Sequence, residues 1–194
     1  RRTGVNKHIQ MGRIWRIRHQ DHRPYQEKPQ MLSESTEELV RHLQNPIGWW
    51  RDTAQKLILL RNDREKAIPL LEGLFRFTQS PLSRIHALWT LDGMHAITPE
   101  IKKEALMDRA AEIRRAMVQI IEPGLPKELD LLLPLENERD PRVAEQLIFS
   151  FGTTDDPQAE KLIQTLASRH LRDQGVMLAT TISLWGKKNL PFIQ

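Results

Sequence analysis

The sequence predicts an all-α protein: a right-handed α-solenoid of about five helix pairs, preceded by an extended N-terminal segment. Two observations carry this. The stretch Trp49-Trp50-Arg51-Asp52-Thr53-Ala54-Gln55-Lys56-Leu57 returns in altered form, with comparable helix starts at Arg84, Arg114, Val143 and Arg172, spaced by 33, 30, 29 and 29 residues. A period in this range marks stacked helix pairs, in which each unit buries its apolar face only against its neighbours. The second observation is a helix-start signal ahead of nearly every apolar stripe.

The elements follow in order. Gly12-Arg13-Ile14-Trp15-Arg16-Ile17-Arg18 alternates apolar and basic residues with the period of a half-exposed strand. It makes residues 1–23 an extended segment, and Pro24 and Pro29 make residues 24–34 a linker. The repeat region is placed at 35–194. Ser35-Thr36-Glu37-Glu38 has capping-box spacing and opens a short helix that ends before Asn45-Pro46. The next helix starts near Trp49, with Trp50, Ala54, Leu57 and Ile58 on one face. Asn62-Asp63 is expected to cap a helix running to about Phe77, with Pro69 in an early turn or at a kink. Pro81 opens its partner, with Ile85, Leu88 and Trp89 inward, and Thr98-Pro99 starts a third pair completed by Ile113, Met117, Ile120 and Ile121. Beyond the break at Pro123-Gly124-Leu125-Pro126, helices are expected over 127–136 and 141–151, then over 157–170 and 173–185. Gly152 and Gly186 stand where left-handed caps are expected.

Composition narrows the function classes. No apolar run approaches the eighteen or so residues that cross a bilayer. The chain opens Arg1-Arg2-Thr3 without an apolar leader, and is expected to be a piece of a longer polypeptide. With no cysteine, these residues cannot form disulfides, thiolate metal sites, a covalent c-type haem attachment or a cysteine nucleophile. The net charge of +4 is concentrated at one end: residues 1–23 carry +6 and the remaining residues −2. A helical domain that wraps phosphates is basic on its own account, because released counterions supply most of its affinity, so nucleic acid is disfavoured as a partner. The alternative from that class is a binder similar to the HEAT-like alkylpurine glycosylases, which grip DNA in a basic concave groove.

The Asp140-Pro141-Arg142-Val143 start and the Arg-x-x-Ala of Arg51 to Ala54 and Arg84 to Ala87 resemble HEAT repeats. A closer resemblance lies in Gly12 to Ile17, in Asn45-Pro46-Ile47-Gly48-Trp49-Trp50-Arg51-Asp52-Thr53-Ala54-Gln55 and in His86-Ala87-Leu88-Trp89-Thr90-Leu91-Asp92-Gly93. These resemble the large membrane-bound dehydrogenase-like proteins of planctomycetes and verrucomicrobia over roughly residues 12–122. In that family a β-propeller similar to sugar dehydrogenases precedes HEAT repeats, and a c-type cytochrome domain often follows. The resemblance implies that residues 12–18 are the closing propeller strand and residues 35–194 the repeat region. It also implies a periplasmic or membrane-associated location, protein partners (the propeller and cytochrome domains or redox-complex subunits), and haem c or a quinone cofactor in flanking domains. No cofactor is expected in this chain, and none of the matched motifs is catalytic.

The candidate residues are then few. His19 and His22 flank Asp21 at metal-ligand spacing, but no third ligand is near in sequence. His86 and His95 are read as hydrogen-bonded structural residues. Arg51, Arg84, Arg114, Asp52, Asp92 and Asp140 could be drawn as catalytic acids and bases, yet their period is explained by capping and by bridges between repeats. Asp52, Asp92, Arg114, Asp140 and Arg142 are therefore assigned to a structural ladder. Trp49, Arg51, Arg84 and His86 are the partner-binding candidates, Trp49 because it sits at the loop between helices.

Overall fold

The computed structural model describes residue 17, residues 19–21 and residues 29–185. The chain divides into two compact units, Arg1–Gln30 and Met31–Gln194. In the first, Asp21 donates its amide to His19 Nδ1 at 3.3 Å, and both side chains are exposed. The expected strand at 12–18 lies outside the described residues except for Ile17, as does His22.

The second unit is all-α among its described residues. Its helices are α1 (Thr36–His42), α2 (Gly48–Arg61), α3 (Arg64–Phe77), α4 (Pro81–Gly93), α5 (Pro99–Leu106), α6 (Ala111–Ile121), α7 (Leu129–Leu132), α8 (Pro141–Gly152), α9 (Pro157–Arg169) and α10 (Gln174–Leu184). The starts are chemically marked. Ser35 and Glu38 form a reciprocal capping box, and Ser80, Thr98, Asp140, Asp156 and Asp173 each accept an amide of the first turn they precede. Pro81, Pro99, Pro141 and Pro157 occupy first helical positions, where no amide is needed. Asp63 departs from expectation. It precedes α3, but its carboxylate accepts the Thr36 hydroxyl at 2.9 Å instead of a helix amide, which ties α1 to α3. Pro69 lies within α3, and the helix continues through it to Phe77.

The residues before α2, α4, α6, α8 and α10 are Ile47, Ser80, Ala110, Asp140 and Asp173, at intervals of 33, 30, 30 and 33. This corrects the register of the last two repeats. The position held by Arg51, Arg84 and Arg114 is filled by Ala144 in α8 and Met177 in α10, not by Val143 and Arg172. The caps at Asp140 and Asp173 set the true starts. The helix expected over 127–136 is shorter than the others: one α-turn, α7, followed by a 3-10 helix at Leu133–Asn137. Pro134 falls inside that window and has no amide for an α-helical bond.

Packing is serial. The second helices touch in the order α2, α4, α6, α8, α10, while α1, α3 and α5 lie against α2, α4 and α6, and α9 packs against both α8 and α10. Leu39, Ile58, Leu71, Leu88, Ile113, Met117, Leu147 and Ile163 are among the fully buried side chains of one continuous core. Each such side chain contributes roughly 1.5–3 kcal/mol relative to exposure.

Left-handed backbone occurs at Asn62 (φ 52) and His95 (φ 51), which follow α2 and α4. Gly152 is not left-handed, contrary to the cap expected there, and Gly186 lies outside the described residues. Gly152 is needed for a close approach. A Cβ on it would lie 2.5 Å from Ser183 Oγ and 3.1 Å from Ser183 Cα, and Ser183 Oγ donates to the Ile148 carbonyl at 3.0 Å. Gly152→Ala is therefore expected to lower stability by about 1–3 kcal/mol, because forced repacking outweighs the smaller gain in helix propensity. The urea midpoint reads this directly; an unchanged or higher midpoint contradicts the close contact.

Candidate partner-binding face

Several polar residues tie one helix pair to the next. Arg84, in the first turn of α4, donates from Nε to the Phe75 carbonyl at 3.0 Å and from Nη1 to Asp108 Oδ1 at 3.3 Å, with Nη2 on Asp108 Oδ2. Its guanidinium also lies over the Phe75 ring, 5.1 Å from the centroid. Arg114 repeats the arrangement one pair later. Its Nε and Nη2 form a fork on Glu138, both at 2.7 Å, and Nη1 reaches the Asp108 carbonyl at 2.8 Å. Each rung thus joins the second helix of one pair to the loop that opens the second helix of the next.

Asp108 and Glu138 also shape the loops they sit in. Asp108 accepts the Ala110 amide, and Glu138 accepts the amides of Arg139 and Asp140, all at 2.8 Å. The corresponding loops before α2 and α4 use Asn45 and Thr78, which accept the amides of Ile47 and Ser80. Thr78 is no anion for Arg51. Arg51 instead donates to the carbonyls of Asn45 at 2.6 Å and Pro46 at 3.0 Å, and its Nε is buried with no partner among the described residues. Glu138 is the most enclosed carboxylate of the two rungs, its side chain 5% exposed. Burial alone would raise its pKa, but the bonds from Arg114 and the Asp140 amide outweigh it and hold the carboxyl below the usual range. The same bond raises the Arg114 pKa.

The remaining ladder candidates are placed differently. Asp140 caps α8 and pairs with Arg142 at 2.9 Å; that contact comes first in lowering its pKa. Arg142 also reaches back to Glu112 at 3.0 Å. Asp52 is exposed, 3.9 Å from His86 Nε2, and Asp92 accepts the His95 amide through its carbonyl. Sequence reasoning singled out neither Asp108 nor Glu138. The available signal was an acid 24 residues beyond Arg84 and Arg114, two residues ahead of the next cap.

The partner-binding candidates divide. Arg84 is occupied by its rung, and Arg51 by the loop carbonyls. His86 Nδ1 bonds Gln55 Oε1 at 2.8 Å across α2 and α4; burial, then the Arg51 charge, lowers its pKa against the opposing pull of Asp52. Trp49 is 52% exposed and stands edge-on to buried Trp50 at 5.6 Å. Trp89, expected inward, is only half-buried. It lines a cleft of about 260 Å³ with Ile85, Ala111, Arg115, Ala116 and Gln119, at the junction of α4 and α6.

Among the described residues no group of three or more His, Asp or Glu could hold a metal, and no helix is long and apolar enough to cross a membrane. No protein-family model and no curated protein sequence matches the chain.

The Glu138 carboxyl, with its depressed folded pKa, contributes stability that is present above its unfolded pKa of about 4.3 and is lost as pH falls through the folded value. Glu138→Gln removes that contribution. It is expected to cost about 3 kcal/mol near neutral pH, the scale for breaking an enclosed ion pair. The gap from wild type then narrows below about pH 4. Chemical denaturation across pH checks it, and a gap independent of pH contradicts the ionic rung.

Proposed function

We propose that residues 35–194 form a right-handed α-solenoid of about five HEAT-like helix pairs. It acts as a non-catalytic scaffold and interaction module of a larger, dehydrogenase-like redox protein associated with a c-type cytochrome. The observation that carries the scaffold reading is the serial packing of α2, α4, α6, α8 and α10, with Arg84–Asp108 and Arg114–Glu138 as rungs between consecutive pairs. That geometry suits a rod that holds other domains at a set distance, since each unit is stabilised by its neighbours. Of the residues that could be drawn as acids and bases, Arg84, Arg114 and Asp140 are spent on bridging and capping, and Arg51 on loop carbonyls. The redox assignment rests on the resemblance of residues 12–122, which also implies the periplasmic or membrane-associated location and a propeller or cytochrome neighbour. Haem c or a quinone then belongs to flanking domains and not to this chain.

Isolation of the native protein from its source tests the assignment, with a denaturing gel probed by an antibody to this segment and stained for covalent haem. The proposal expects a haem-positive band well above 22.7 kDa. A haem-free band near 22.7 kDa overturns the redox assignment.

A further inference from the structure

Along the row of second helices, three of the four grooves are bridged by polar side chains, the last by Ser183 of α10 on the Ile148 carbonyl of α8. Gln55 and His86 join α2 to α4 at 2.8 Å. Glu112 and Arg142 join α6 to α8 at 3.0 Å, and Gln119 and Gln146 do so at 2.8 Å. Among the described residues no side-chain hydrogen bond crosses between α4 and α6 themselves, and the Trp89 cleft opens at their junction. Its apolar lining is Ile85 and Trp89 from α4 and Ala111 and Ala116 from α6, and the rest is polar: Glu112, Arg115 and Gln119 from α6 and Arg142 from α8. Arg115 stands at this cleft, exposed, with no ion pair or hydrogen bond among the described residues. Of the charged residues that line the cleft, Glu112 and Arg142 pair with each other, Arg142 being shared with Asp140, and Arg115 is the cation left without a partner among the described residues.

We infer that this cleft docks a short acidic segment of a partner protein, one apolar side chain seated against Ile85 and Trp89 and a neighbouring carboxylate on Arg115. The inference rests on the scaffold reading only in treating this row of helices as an interaction face. Size and charge select the occupant. At about 260 Å³ the cleft falls below the roughly 300–1,000 Å³ typical of small-molecule sites, while an anchoring side chain needs less room. A half-buried indole beside a free guanidinium is the composition that concentrates binding energy at protein interfaces. A basic segment would meet Arg115 as a like charge and gain nothing to offset it.

The test is fluorescence polarisation with the full chain and two labelled, end-blocked hexapeptides, one alternating leucine and glutamate, the other leucine and lysine. Wild type is expected to bind the glutamate peptide in preference to the lysine peptide. Arg115→Glu, an exposed substitution whose fold is checked by circular dichroism, is expected to weaken the glutamate peptide by at least about tenfold and to strengthen the lysine peptide. Trp89→Phe, which keeps the apolar wall, is expected to retain the charge preference. Equal affinity for the two peptides, no detectable binding at 1 mM peptide on the order of the weakest specific contacts, or an Arg115→Glu profile unchanged from wild type overturns the inference. Such a failure leaves the haem-band experiment unaffected, and a haem-free band leaves the peptide titration standing, so the two readings fail separately.

Discussion

The interaction on which the rest depends is the charge-assisted fork from an arginine in the first turn of one second helix to a carboxylate ahead of the next. A stack of helix pairs is stabilised mainly by apolar burial, which is non-directional and would tolerate sliding of one pair over another. The Arg114–Glu138 fork removes that freedom, because a planar guanidinium meets both carboxylate oxygens in one geometry only. Glu138 simultaneously holds the amides of Arg139 and Asp140, so the rung also sets where α8 begins. Register between pairs and the start of the next helix are thus fixed by one side chain. The rung is graded along the chain. Arg51 finds only carbonyls, Arg84 and Arg114 find carboxylates, and at α8 the arginine position is Ala144, with Leu171 at the corresponding acceptor position. Both partners of the last rung are lost together, as expected if an unpaired enclosed charge is costly.

Much of this fold was legible in the sequence, for identifiable reasons. Capping chemistry is local, so Ser35 with Glu38, Pro81, Thr98-Pro99 and Asp140-Pro141 mark helix starts that the structure reproduces. What required three dimensions was anything decided between helices. The partners of Arg84 and Arg114 lie 24 residues away, whereas Asp52 and Asp92, to which the sequence directed attention, fall at different positions of α2 and α4 and hold no rung. Gly152 looked like a helix terminator; its actual constraint is Ser183 on a neighbouring helix. Trp89 falls on an apolar stripe, yet the α4–α6 junction leaves it half-open, which no one-dimensional pattern reveals.

These features bear on function together. Rungs, caps and loop carbonyls engage Arg51, Arg84, Arg114 and Asp140, while Trp49 beside the first loop and Trp89 with Arg115 on the row of second helices stay accessible. The proposed scaffold role needs rigidity along the row of helices and chemical distinctness at selected points. The polar bridges at α2–α4 and α6–α8, flanking the cleft between α4 and α6, supply both.

The central physical claim is that consecutive pairs are coupled through these forks. A double-mutant cycle measures it: Arg114→Met, Glu138→Leu and the two combined, each followed by urea denaturation. The account predicts single losses whose sum exceeds the loss in the double variant by about 2 kcal/mol, within the range found for residues sharing one ion-pair network. Additive losses would show that Arg114 and Glu138 stabilise the chain independently, and that the register of the pairs is set by something else.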